Sequence, residues 1–162
     1  YNDEHIDNGF SKTNNIVNDA SVKAWGAGAT IGLGDSGLKV DGDFIQTRGK
    51  NNLGHEHANL WTAGLRYGEV DLNKPGSFTL GVHYVRADAG SYLLGNSALD
   101  MTDQLEYGCD NGAGVKFWTA KAGVAVQKNV ELDAYYNFGA KTYDSQAENP
   151  ANTWGVELNY AF

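Results

Sequence analysis

Cysteine, proline and methionine are nearly missing from this chain: 162 residues hold one cysteine, two prolines and one methionine. With Cys109 alone, no disulfide forms within the chain, and Cys109 reads as a loop thiol without a role. No run approaches the roughly 20 consecutive apolar residues that a membrane-spanning helix needs. Basic residues are few and unclustered, and the net charge is -8, which excludes a nucleic-acid partner because nothing is placed to neutralise phosphates. Gly-x-Ser-x-Gly, CxxC and HExxH are all missing. We therefore expect no enzyme, no cofactor and no metal. His55-Glu56-His57 reads as surface histidines, and His83 with Asp41 or Asp43 is only a faint catalytic candidate.

What is present is glycine (21 residues) and aromatic side chains (12%), with few leucines. That balance favours strands and turns over helices. The length suits one domain. Residues 1–21 are polar, rich in Asn and Asp, and carry no sustained period, so they read as a lead-in segment or long loop. The chain starts at Tyr1, without a methionine or signal peptide, as a processed exported protein or a fragment of a longer chain would.

From residue 22 onward, apolar and polar residues alternate with the period of two that marks a strand with one greasy face and one wet face. Seven strands are predicted, at about 22–33, 38–47, 57–70, 77–87, 113–127, 130–143 and 153–162. In the last, Trp154, Val156, Leu158, Tyr160 and Phe162 share one face, and Thr153, Gly155, Glu157, Asn159 and Ala161 the other. Three regularities separate this pattern from a soluble sandwich. Connections after the first, third and fifth strands are short, and the others long, as in an outer-membrane barrel. Every strand reaches the 9 to 11 residues that a tilted crossing takes. The aromatics fall at two heights: Trp25, Trp61, Trp118 and Trp154 with Phe44, Tyr84 and Phe138 near the long loops, and Tyr67, Phe78, Tyr160 and Phe162 near the short turns. Two aromatic girdles flanking Ala, Val, Leu and Ile describe a lipid-facing band. The hairpins also echo each other, with Trp-Thr-Ala at 61–63 and again at 118–120.

The expected fold is therefore all-β, an antiparallel up-and-down transmembrane β-barrel over residues 22–162. Its inward face carries Lys39, Asp41, Asp43, Arg66, His83, Lys121, Glu131, Asp133, Asn137, Lys141 and Glu157. In a narrow barrel these groups pair in a packed interior; in a wide one they line a water-filled channel. Arg66, Lys121 and Lys141 are the expected wall cations, and Asp43, Glu131 and Asp133 the anions. The segment 88–112 has no clean period. It either folds into the lumen, where its acidic residues face the wall cations, or packs outside on a neighbouring subunit.

The girdles, the alternation of turns and the segment Gly155-Val156-Glu157-Leu158-Asn159-Tyr160-Ala161-Phe162 together resemble outer-membrane porins of diderm (Gram-negative) bacteria. The Gly/Asn-rich texture is most similar to the barrels of porins that carry an S-layer-homology domain, though no such domain is present in these residues. The resemblance implies a location in the outer membrane, contact with its lipid or lipopolysaccharide, and passive diffusion of small hydrophilic solutes. It implies that Leu158, Tyr160 and Phe162 are read by the barrel-assembly machinery, and that the chain forms a homo-oligomer such as a trimer. Seven strands depart from the even number of such barrels. Either an eighth strand lies in residues 1–21, closing a small barrel that serves as a membrane anchor or adhesin, or the chain is part of a larger porin.

Overall fold

The computed structural model describes residues 23–48, 57–91, 104–105, 113–143 and 147–162. The expected lead-in segment 1–21, an eighth strand within it, His55, Cys109 and most of the segment 88–112 lie outside the described residues.

Seven strands follow one another in a single antiparallel sheet, each hydrogen-bonded to its neighbours in sequence. They are β1 (Lys23–Gly32), β2 (Leu38–Arg48), β3 (His57–Gly68), β4 (Phe78–Ala87), β5 (Val115–Gln127), β6 (Val130–Thr142) and β7 (Thr153–Tyr160). All are long, because period-two stretches without proline let the ladder run on. The up-and-down order is as expected, and among the described residues the sheet is open, β1 and β7 each keeping one edge without a strand partner.

Turn chemistry sets the short connections. A single 3-10 turn, Gly34–Ser36, ends on Gly37 at φ 75, and the Ser36 hydroxyl donates to the Leu33 carbonyl at 2.6 Å. Lys128-Asn129 closes the β5–β6 hairpin with Asn129 at φ 62, a left-handed conformation that asparagine tolerates well. Strand β3 stops at Gly68, two residues earlier than expected, where φ turns to 77 and the amide donates back to Gly37.

Paired residues share a face, so the register decides which side chains lie together. One outward row runs Ile31, Val40, Leu65, Val82, Ala120, Tyr136, Trp154. This row starts near the turn end of β1 and finishes at the long-loop end of β7. The strands are therefore staggered across the sheet, which is the geometry that tilts strands in a barrel. Between its two aromatic levels the outward face is apolar, and much of it is exposed, with Leu65 at 50%, Val156 at 56% and Trp154 at 73%. Its rings touch in series: Trp25 on Phe44 at 5.3 Å, Trp61 on Tyr84 at 5.4 Å, and Tyr84 edge-on to Trp118 at 5.0 Å between centroids. Tyr136 stacks on Phe138 at 5.5 Å, and Tyr67 meets Phe78 at 6.1 Å near the short turns.

The buried core lies on the opposite face, at the long-loop end. Leu60, Val85, Ala87, Val115, Phe117 and Ala140 pack there with Ile45 at their edge, and Leu105 sits on them. Burying side chains of this size stabilises by about 1.5–3 kcal/mol each.

Candidate polar site on the inward face

The inward face is apolar near the long loops and charged below. Asp41, Asp43, Arg66, His83, Lys121, Asp133 and Glu157 line one cavity of 530 Å³, together with Thr30 of β1 and Tyr135 of β6. Residues of β1 and β7 border the same space, so the sheet curls around it.

At its centre, Asp41 takes two partners. Its Oδ2 lies 2.5 Å from His83 Nε2, and its Oδ1 lies 3.5 Å from Arg66 Nε. Asp41 and His83 belong to β2 and β4, with Gly64 of β3 registered between them. A side chain at Gly64 would overlap the His83 ring, so glycine is what lets His83 reach across an intervening strand. Gly155 does the same for the Tyr135 ring. Glycines interleaved among large polar groups thus let a narrow interior hold them.

Elsewhere, the Thr62 hydroxyl donates to Asp43 at 3.3 Å, and Asn159 Nδ2 donates to Asp133 at 2.8 Å. Asp133 pairs in register with Glu157, and Glu131 with Asn159, so carboxylates gather on β6 and β7. Lys39 and Arg66 pair across β2 and β3, and Lys121 follows in the same row on β5. Cations and anions are thus mixed on β2 and β3, whereas the inward charges of β6 and β7 are carboxylates. Lys39 shares the inward face but turns to Glu69 beyond β3, at 2.7 Å. That hydrogen bond and charge hold the Glu69 carboxyl below its ordinary value, and the Asn73 amide does the same for Asp71.

One expected wall residue lies elsewhere, and another is buried. Lys141 was placed inward by counting alternate residues along β6. The register slips between Lys116–Lys141 and Trp118–Phe138, at a bulge holding Gly139 at φ 65. The extra residue flips the alternation. Ala140 then joins the buried core, and Lys141 stands beside Lys116 on the face of Trp118. Asn137 does face inward, but it is fully buried. Its Nδ2 donates to Gln104 Oε1 at 3.0 Å and to Thr153 Oγ1 at 3.2 Å. Gln104 in turn donates to Thr153 Oγ1 at 2.8 Å and to the Ala151 carbonyl at 3.2 Å. Gln104 and Leu105 of the 88–112 segment thus lie on the inward face.

His83 does meet Asp41, the one histidine–carboxylate contact the sequence offered as a faint candidate. Above the girdle, burial pushes the Tyr143 phenol up to about 12, with Arg86 4.7 Å from its ring centroid. Sequence reasoning missed the inward apolar cluster and the bulge. Val115-Lys116-Phe117-Trp118, with large side chains on both parities, and Gly139 inside a strand were the available signals. No protein-family model matches this chain, and no curated protein matches it.

Proposed function

We propose that this chain supplies seven strands of an outer-membrane β-barrel of the porin kind, through which small hydrophilic solutes diffuse passively. The outward face is the observation that carries the reading. From Trp25 to Phe162 it exposes large apolar side chains on all seven strands, bounded by aromatic rings at both ends. Monomeric soluble proteins rarely leave contiguous apolar patches above a few hundred Å² in water. Lipid removes that cost, and the aromatic rings suit its two interfaces. The charged inward cavity supports a water-filled interior, with Arg66, Lys121, Asp133 and Glu157 on its wall.

Closure follows from strand direction. β1 and β7 are both odd members of an antiparallel series, so they run the same way. Pairing them directly, or joining copies of this unit end to end, makes a parallel seam. Antiparallel closure takes an odd number of further strands. One, from the residues before β1, gives an eight-stranded barrel; more give a wider porin. Leu158, Tyr160 and Phe162 all reach the outward face or its end, where assembly machinery would read them. Lipid or lipopolysaccharide is the surrounding partner, and a trimer the expected oligomer.

A second reading is favoured by one observation. The upper interior is filled by Phe117, Leu60, Val85 and Leu105, as in a closed barrel that anchors or adheres without conducting. Liposome swelling separates the two. Vesicles holding the inserted chain swell in small sugars if it is a pore. An inserted chain that leaves the vesicles tight would overturn the pore and favour the anchor. Heat-dependent gel migration reports insertion and folding independently.

A further inference from the structure

Charge is segregated on this sheet. The strand carboxylates Asp41, Asp43, Glu131, Asp133 and Glu157 all belong to the inward face. Of the outward-facing strand residues, the charged ones are cations and stand at the long-loop end: Lys23, Arg48, Arg86, Lys116 and Lys141. They fall into two groups by register. Lys23 pairs with Arg48, and Arg86 with Lys116, which pairs with Lys141. Like charges directly opposite are destabilising. Here three follow one another on adjacent strands, about 4.8 Å apart, in a chain whose net charge is -8. None of the five has a carboxylate within 4.0 Å among the described residues. The nearby Asp88 is taken by the Asn59 amide at 3.1 Å and its Nδ2 at 3.3 Å. The bulge at Gly139 brings Lys141 into the row, and the Tyr143 ring lies beside Arg86 and Lys116. The row stands directly beyond the rings of Tyr84 and Trp118, with Trp61 opposite Arg86, at the height of an aromatic girdle.

We propose that Arg86, Lys116 and Lys141, with Lys23 and Arg48 continuing the collar, bind the phosphate groups of anionic lipid headgroups in the leaflet at the long-loop end. The proposal rests on the membrane reading above. Cations aligned at the interface with no carboxylate beside them among the described residues suit an anionic ligand, and headgroup phosphates lie at that depth. A closely spaced row favours lipids bearing more than one phosphate. Each cation near a charged membrane surface strengthens such binding about fivefold.

Tryptophan quenching tests this with the full chain. It is inserted into phosphatidylcholine vesicles containing brominated phosphatidylglycerol, and separately brominated phosphatidylcholine. Trp25 and Trp118 sit below the collar and Trp61 beside Arg86, and all three report the local lipid. The anionic brominated lipid is expected to quench more strongly, and the excess to shrink as salt rises. The double variant K116Q/K141Q is expected to lose about twenty-fold in relative affinity, and K116R/K141R to keep it. K74Q/K128Q, at the short-turn end, is expected to change nothing. Equal quenching by the two lipids in inserted protein overturns the proposal, as does an equal loss in K74Q/K128Q. Loss of the preference on adding inorganic phosphate at constant ionic strength reassigns the row to a soluble anion and also overturns it. If neither lipid quenches, the chain has not inserted, and the membrane reading itself fails.

Discussion

Replacing Leu65 by arginine has opposite consequences in lipid and in water. Leu65 lies on the outward face of β3, between Val40 on β2 and Val82 on β4, and is 50% exposed. Along β3 it falls between Trp61 and Tyr67, the two aromatic levels, so in a bilayer it sits near the midplane. A guanidinium there loses water without gaining a partner, since Val40 and Val82 offer it no acceptor. Outer-membrane barrels lose about 2–4 kcal/mol to such a change at the midplane, roughly a hundredfold or more in the folding constant. If the same face met water, L65R would exchange one exposed side chain for another, and the change would stay within about ±0.5 kcal/mol. The assay is urea unfolding and refolding of the full chain with phospholipid vesicles, followed by tryptophan fluorescence. Asn159→Arg controls for added charge, because Asn159 shares the inward face with Asp133 and Glu157. We expect L65R to lower stability by about 3 kcal/mol while N159R changes it little. A neutral or stabilised L65R would refute the argument that this face meets lipid.

Other outcomes follow from single contacts. Asp41→Asn leaves Arg66 and His83 without their shared carboxylate; it should cost about 2 kcal/mol and shift ion selectivity toward anions, read from the urea midpoint and the reversal potential. Gly139→Ala forces a side chain into φ 65 at the bulge, and should cost about 1 kcal/mol in the same unfolding assay. Tyr143 ionises in the unfolded chain at its ordinary value of 10.0 and in the folded chain at about 12. A raised folded value adds stability below pH 10 that is lost as pH climbs to 12. Absorbance titration should show one late phenol, and Tyr143→Phe should remove both it and that loss of stability.

Strand existence was legible because alternation repeats over long, proline-free stretches, and boundaries differ from expectation by at most two residues. Turns were legible where Gly37 and Asn129 announce a left-handed backbone. Faces were legible wherever the ladder is regular, which is everywhere but at the two register shifts of the β5–β6 pair. Lys141 was not, because one inserted residue reverses every assignment beyond it, and Gly139 resembles the other strand glycines in sequence. Asn137 kept its face but not its exposure: Gln104 reaches it from more than thirty residues away, a contact no local pattern encodes. The core around Phe117 was hidden for a related reason. Near the long loops both faces of β5 are apolar, so alternation no longer says which side is buried.

Single-channel recording in planar bilayers tests the central claim most directly. A pore whose wall carries Arg66, Lys121, Asp133 and Glu157 should give stable open steps, and replacing Arg66 or Lys121 with glutamine should change their size and selectivity. Inserted, heat-modifiable protein that never conducts would contradict the pore and leave a filled barrel in its place.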